Sequence, residues 1–211
     1  MKRIIASALY SCSDPFHIYD ISVNVLSPKQ LKENHILLLH GGADISPSIY
    51  KQEPISYCHA GHKPSDRDMM EMALVEQAIK MHLPIIGICR GAQLLCAMDG
   101  GYLIQHIDGH TGGKHDIHDT MTNDVYKANS CHHQMLVPNP EHNNVILAEC
   151  IQPTTGIDKN EKPMIIKTIP EIVYFPQMNA IGIQGHPEWA PNTPYTAYCS
   201  LLIQRYIIKE F

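Results

Sequence analysis

The sequence predicts an α/β fold in which a mainly parallel central sheet is flanked by helices. Two observations favour this fold. Short apolar runs alternate with longer segments at helical spacing, and most of the runs are continuous rather than alternating in polarity. Continuous apolar runs are typical of strands that are covered on both faces. With 211 residues, of which 44% are hydrophobic, the chain is long enough for one such domain, which we expect to span residues 1–211.

Strands are predicted where apolar runs are bounded by Gly, Pro or charged residues. The runs are Ile4–Leu9, Ile36–Leu39, Ile85–Cys89 and Ala180–Gln184. The stretch from about Gly112 to Lys167 is polar and weakly periodic, and it predicts loops and short antiparallel strands.

Three helices are predicted. The first, Ser65–His82, begins with Ser65 as its N-cap and has Asp68 in the capping-box position three residues later. The second, Arg90–Met98, is closed by Gly100 and Gly101, and the third is Thr196–Lys209. The residues at helical spacing in the first helix are Met69, Met72, Ala73, Glu76 and Ile79.

Composition narrows the functional classes. The formal net charge is -5 and there is no basic run, so nothing favours binding to nucleic acid or to an anionic membrane. The N-terminal apolar run is too short for a signal peptide, and no run has the length of a transmembrane helix. Seven scattered cysteines without a C-x-x-C pair favour reduced thiols, so we expect a cytoplasmic protein.

The segment Pro84–Gln93 places the pattern G-x-C-x-G between an apolar strand and a helix. This is the thiol version of a nucleophile elbow, in which Gly87 and Gly91 leave room for a tight turn around Cys89. The N–H groups at the start of the helix point at the thiol. We therefore expect them to lower the pKa of Cys89 and to stabilise an oxyanion.

The alternative for Cys89 is a buried structural cysteine beside two turn glycines. Cys131 is the one competitor as a nucleophile, although no elbow surrounds it. The remaining cysteines also lack the elbow context: Cys12, Cys58, Cys96, Cys150 and Cys199.

A base for the thiol is predicted after the last apolar run. His186 follows that run, and Glu188 lies two residues further on, which puts both side chains on one side of an extended chain. A carboxylate there can accept the Nδ1 proton and leave Nε2 aimed at the thiol. The alternative is a strand-terminal histidine with a solvated glutamate, since the chain contains 14 histidines.

Taken together, these segments resemble the class I glutamine amidotransferase superfamily, and within it the γ-glutamyl hydrolase branch that includes γ-glutamyl-γ-aminobutyrate hydrolases. Gly185 departs from this pattern, because relatives often have Trp before the histidine. Four blocks in the family's order carry the resemblance: Leu39–Pro47, Gly87–Gln93, Asn129–Gln134 and Gln184–Trp189.

The resemblance implies a flavodoxin-like α/β fold with Cys89 as nucleophile, His186 as base and Glu188 as the orienting acid. It implies an oxyanion hole of backbone N–H groups near Gly42 and at Arg90, and no cofactor. It also implies that Gln93 contacts the glutamyl group, together with the substrate-side loop residues Ser130, His132, His133 and Gln134.

A second cluster is dense in histidine and aspartate, and a metal site there is conceivable. Its spacing matches no familiar zinc pattern and glycines between the residues indicate a loop, so we assign no metal. We expect these residues to border the substrate mouth or to lie in solvent: His106, Asp108, His110, His115, Asp116, His118 and Asp119.

The sequence therefore predicts a hydrolase that cleaves a small-molecule γ-glutamyl amide through a glutamyl thioester. The amine remains open between a polyamine derivative, an amino acid and a nucleotide-linked amide, and a homodimer is compatible with this interpretation. One alternative is a glutaminase subunit that delivers ammonia to a synthetase partner. Another, from a different class, is a catalytically silent binding domain on the same fold.

Overall fold

The computed structural model describes residues 4–8 and 22–208. Predicted features at Leu9, Cys12 and Lys209 lie outside these residues. The described strands, in chain order, are β1 Ile4–Ala8, β2 Ser22–Val25, β3 His35–Leu39, β4 Ile85–Ile88, β5 Tyr102–Ile104, β6 His106–Ile107, β7 Lys114–Asp119, β8 Val125–Asn129, β9 Met135–Val137, β10 Val145–Cys150, β11 Thr154–Ile157, β12 Pro163–Ile166, β13 Ile169–Phe175 and β14 Ala180–Ile183.

The central sheet has nine strands in the order β2-β1-β3-β4-β14-β13-β10-β7-β8. The first five pair in parallel, and the remaining four extend the sheet by antiparallel pairing. Two small antiparallel sheets, β12-β11-β6 and β5-β9, lie outside it. The predicted α/β fold is confirmed, and the antiparallel strands fall largely in the polar stretch where they are expected.

The four predicted strands appear as β1, β3, β4 and β14, each ending within one residue of its predicted limit. Their side chains are almost entirely buried, as continuous apolar runs predict.

The histidine-rich stretch is not wholly the loop that the sequence predicts. His106 lies on β6, and His115 and His118 lie on β7. Pairing of β7 with β8 and β10 supplies the backbone partners that make this polar segment a strand.

The helices are α1 Asp66–Lys80, α2 Arg90–Met98 and α3 Pro194–Ile203, and a π-helical turn, Gln204–Ile208, follows α3. The capping box of α1 is confirmed: the Ser65 hydroxyl accepts from the Asp68 N–H at 3.1 Å, and the Asp68 carboxylate accepts from the Ser65 N–H at 2.8 Å. None of the helices in the described part combines the length and apolarity that crossing a bilayer requires.

The buried face of α1 differs from the predicted one. Met69 is 55% exposed, whereas Asp68 and Glu71 are buried along with Leu74, Val75 and Ala78. The reason is an ion pair, which the spacing of apolar residues cannot predict. Both carboxylates face the buried guanidinium of Arg90 at the start of α2, and this contact turns their side of the helix inward.

Candidate active site

The candidate site lies at the carboxyl edge of the parallel strands. β4 pairs in parallel with β3 on one side and with β14 on the other, so the residues that follow the three strands meet at one edge. Those residues are Gly41, Cys89 and His186. The Cys89 N–H donates to the Ile183 carbonyl at 2.7 Å, which ties the elbow to the end of β14.

The tight turn predicted at Cys89 is present. Cys89 has φ +49° and ψ -107°, a strained conformation for a residue with a side chain. A Cβ on Gly87 would lie 2.6 Å from the Gly91 carbonyl, and a Cβ on Gly91 would lie 2.6 Å from the Leu39 carbonyl. Both glycines are therefore required where the strand turns into α2, as the G-x-C-x-G pattern predicts.

The His186 ring and the Cys89 side chain border the same point in space. A Cβ on Gly41 would lie 2.7 Å from His186 Cε1 and 3.4 Å from Cys89 Cβ. Glu188 Oε1 lies 2.7 Å from His186 Nδ1. Because a carboxylate only accepts, Nδ1 carries the proton and Nε2 presents its lone pair. The structure thus brings Cys89, His186 and Glu188 together.

The backbone of His186 is held by Asn129, at the end of β8. The Asn129 amide donates to the His186 carbonyl at 2.6 Å and accepts from the His186 N–H at 3.1 Å. The Trp189 ring stacks on the imidazole with centroids 3.7 Å apart. Sequence reasoning placed Asn129 and Trp189 in motif blocks without assigning these roles, because both contacts depend on the tertiary fold.

The departure at Gly185 has a steric cause. A Cβ at this position would lie 2.5 Å from the Tyr195 hydroxyl and 2.8 Å from the Asn129 carbonyl. Tyr195 is buried on α3 and fills the space beside Gly185. The structure therefore excludes any larger residue before His186 unless both Tyr195 and the Asn129 carbonyl move.

Burial raises the pKa of the Cys89 thiol to about 12, and the hydrogen bond from the Arg90 N–H opposes this only in part. The expectation that the helix N-terminus lowers the pKa is therefore wrong in its net direction. Desolvation of a nearly enclosed thiolate outweighs the favourable N–H contact. Burial therefore favours the neutral thiol over the thiolate.

The residues expected to form an oxyanion hole are Arg90, which follows Cys89, and Gly42, which follows the Gly41 position that borders Cys89. The Arg90 N–H faces Cys89 Sγ, whereas the Arg90 side chain points away to Asp68 and Glu71. Gly42 has φ +148°, and a Cβ there would clash with the Arg67 guanidinium. Arg67 donates to the carbonyls of His40 and Gly41 at 3.0 Å each. These bonds hold the loop that contains Gly41 and Gly42, the glycine loop, against Cys89.

Three of the expected substrate-binding residues, Gln93, His133 and Gln134, lie near one another, and two of them contact Asp44. Gln93 Nε2 lies 3.3 Å from Gln184 Oε1 and 3.5 Å from the Gln134 carbonyl. His133 Nε2 lies 3.0 Å from Asp44, and Gln134 Nε2 donates to Asp44 at 3.2 Å. Burial favours a raised pKa of Asp44, but the hydrogen bonds from His133 and the His59 N–H outweigh it and lower the pKa.

Ser130 and His132 are engaged elsewhere. The Ser130 hydroxyl donates to the His110 carbonyl at 2.6 Å. His132 Nδ1 lies 2.9 Å from the Gln134 carbonyl, and the far side of its ring faces His110 and Glu171. Both residues are buried. The structure thus directs both side chains into the interior, on the side of the substrate-side loop that faces away from solvent.

A separate groove of about 730 Å³ lies between residues 50–55, residues 100–105 and residues 157–164. Its lining includes none of Cys89, His186 and Glu188. We place the candidate site at the thiol because the reactive groups, rather than an open groove, determine where chemistry can occur.

Comparison with known proteins bears on the family and on the fold. A family model described as peptidase C26 matches residues 22–157, more than half of the chain. A Mycobacterium tuberculosis protein named as a glutamine amidotransferase is 41% identical over 81 residues, 37% of this chain and 26% of that protein. The glutamine amidotransferase-like protein YvdE of Lactococcus lactis is 27% identical over 178 residues, 75% of this chain and 68% of that protein.

Among solved structures, a glutamine amidotransferase from Thermotoga maritima matches with a TM-score of 0.58 at 15% identity, over 99% of this chain and 84% of that chain. At this identity the match shows the fold alone. The matched segment of the mycobacterial relative is about a quarter of that protein's length, so the relative's whole activity does not transfer directly.

Proposed function

Because the chain belongs to the peptidase C26 family, we propose that it is a cysteine-dependent hydrolase that cleaves γ-glutamyl amide bonds. The observation that supports this proposal most strongly is the strained elbow at Cys89, which lies beside a His186–Glu188 pair joined at 2.7 Å. A silent binding domain has no use for a strained, buried thiol next to an oriented imidazole.

In the proposed first step, His186 Nε2 takes the Cys89 proton as Sγ attacks the γ-carbonyl carbon. Since burial raises the pKa of the thiol to about 12, the proton moves with the attack rather than before it. Glu188 stabilises the imidazolium that forms, and backbone N–H groups at Arg90 and Gly42 stabilise the oxyanion.

In the second step the tetrahedral intermediate collapses, and the C–N bond breaks as His186 gives its proton to the departing amine. A glutamyl thioester on Cys89 remains. His186 then takes a proton from water as the water oxygen adds to the thioester carbon. The C–S bond breaks as His186 returns that proton to Sγ, which releases glutamate and restores the thiol.

The glutamyl end would be held by Gln93, His133 and Gln134. Asp44 lies among them with its pKa lowered, and its negative charge suits the α-amino group of a glutamyl substrate. The histidines around the mouth, His59 and His106, would then border the amine half. Their rings neighbour the ring of His133.

A second candidate is a glutaminase subunit that releases ammonia for a synthetase partner. The names of the mycobacterial and lactococcal relatives favour it, and it would use the same three side chains. The two candidates differ in the group that leaves the γ-carbonyl and in their dependence on a partner.

The test is glutamate release from glutamine and from a panel of γ-glutamyl amides of amino acids, polyamines and other amines. We expect substituted amides to be hydrolysed without any partner, and Cys89→Ser to lower kcat/KM by about a thousand-fold or more. Cys131→Ser is the matched control and should retain activity. Turnover of glutamine alone, rising only with a synthetase, would favour the second candidate; full activity of Cys89→Ser would overturn both.

A further inference from the structure

A buried cluster of histidines and one carboxylate lies behind the substrate-side loop. Glu171, in the middle of β13, is 1% exposed, and His110 and His132 are each 4% exposed. His115, on β7, lies alongside with its Nε2 2.8 Å from Glu171 Oε1. The mechanism proposed above uses none of these four side chains as a reacting group.

Three polar atoms in the cluster are enclosed and lack hydrogen-bond partners: His110 Nδ1, His132 Nε2 and Glu171 Oε2. One ligand atom from each of the three residues can be chosen so that all lie within 4.8 Å of one another. Native proteins rarely leave one buried polar atom without a partner, and three in one cluster require an explanation.

The tautomer of His132 makes this arrangement unfavourable as it stands. Its Nδ1 faces the Gln134 carbonyl at 2.9 Å, and a carbonyl can only accept, so Nδ1 carries the proton. Nε2 therefore directs a lone pair toward the Glu171 carboxylate, 3.9 Å away. Two acceptors face each other in a dry interior, and a cation between them would resolve the conflict.

The separations suit a metal ion better than direct hydrogen bonds. His110 Nδ1 lies 3.7 Å and His132 Nε2 lies 3.9 Å from Glu171 Oε1, too far for a hydrogen bond. A tetrahedral zinc ion with bonds of about 2.0–2.2 Å holds its ligand atoms roughly 3.3–3.6 Å apart. Small inward movements of the three side chains would complete such a site.

We propose that His110, His132 and Glu171 bind one zinc ion, separate from the reacting thiol. Two imidazole nitrogens and one carboxylate oxygen form a donor set typical of zinc, and the fourth position is left for water. His115 lies outside the ligand set. Its Nε2–H donates to Glu171 and orients the carboxylate, as partners of metal ligands do.

The site would join three separate segments. His110 precedes β7, His132 lies in the substrate-side loop and Glu171 belongs to β13. The same loop carries Gln134 beside Gln93, and it follows Asn129, the last residue of β8, which holds the His186 backbone. Zinc would therefore fix this loop to the sheet without taking part in bond cleavage.

A second group, Asp44, His59 and His133, also has ligand atoms close together. It differs in that His59 is exposed and His133 Nε2 already bonds to both Asp44 oxygens at 3.0 Å. Asp44 and His133 have each other as partners without a metal, so this group provides the control.

The test is the metal content of the purified full chain by mass spectrometry, followed by chelation and titration with zinc against a chromophoric chelator. We expect about one zinc per chain in the wild type, and less than about a tenth of that in His110→Gln and Glu171→Gln. His59→Gln, the control, should keep its zinc. His115→Gln should weaken zinc binding roughly ten- to a hundred-fold, as expected for a partner of a ligand.

A readout on the wild type covers the case in which the ligand variants do not fold. Cobalt added to the chelated wild type should give the visible bands of a tetrahedral nitrogen and oxygen site, without a thiolate charge-transfer band. A folded wild type that binds neither zinc nor cobalt would overturn the site. One equivalent of iron in place of zinc would overturn the identity of the metal. Zinc lost from His59→Gln but kept in His110→Gln would move it to the other group.

Discussion

Cys89 combines two properties with opposite effects on reactivity. Its backbone holds the thiol on a strained turn beside His186, but its side chain is buried and burial raises its pKa to about 12. The thiolate is the nucleophilic form of cysteine. Attack therefore depends on a base that removes the proton while a carbonyl group is in place.

The order in which Cys89 and Cys131 are labelled should depend on the reagent, because Cys89 is buried and Cys131 is exposed. Iodoacetamide at neutral pH should modify exposed Cys131 before buried Cys89, because the small reagent does not recruit His186. An electrophile that carries a glutamyl group should reverse the order, because its binding places the reactive carbon beside Cys89. Peptide mapping after partial labelling measures both. Modification of Cys89 first by iodoacetamide would show a pre-formed thiolate and contradict the burial argument.

At the scale of elements, the start of α2 is anchored by a buried ion-pair network. The Arg90 guanidinium bonds to Asp68 and Glu71 on α1, and Glu71 also accepts from Arg67 at 3.0 Å. Arg67 in turn holds the carbonyls of His40 and Gly41. Glu71 pairs with both arginines and so connects α1 to the loop at Gly41 and to the elbow at Cys89.

Removing Arg90 should destabilise the fold as well as the site. Arg90→Ala removes the guanidinium that the buried Asp68 and Glu71 carboxylates share, and breaking a buried pair in this way costs about 3–5 kcal/mol. Arg205→Ala, at an exposed position on the π-helical turn, is the matched control and should change stability by less than about 0.5 kcal/mol. Urea unfolding of both variants measures the difference. Equal stabilities would mean that the ion pairs contribute little.

The same network shows where sequence reasoning is sufficient at this scale and where it is not. The capping box of α1 and the glycines that close α2 are local signals, and the structure has both. The buried face of α1 depends on Arg90, about twenty positions further along the chain, so periodicity selects Met69 where the fold buries Asp68 and Glu71.

At the scale of the whole molecule, the parallel half of the sheet brings the candidate site together. Gly41, Cys89 and His186 follow three adjacent strands, and their meeting is predictable once those strands are identified as parallel. The cluster of His110, His132 and Glu171 is not predictable in this way. His110 and His132 lie on two separate loops, and Glu171 lies within an antiparallel strand. Nothing near Glu171 in the sequence marks it as a partner of histidines.

The measurement that tests the central claim most directly is the intact mass of the protein, quenched in acid during turnover of a γ-glutamyl amide. We predict that the wild type gains the mass of one glutamyl group, that peptide mapping places it on Cys89, and that hydroxylamine removes it as it does a thioester. Cys131→Ser should give the same adduct. An adduct on Cys131, or steady turnover by Cys89→Ala, would contradict the account.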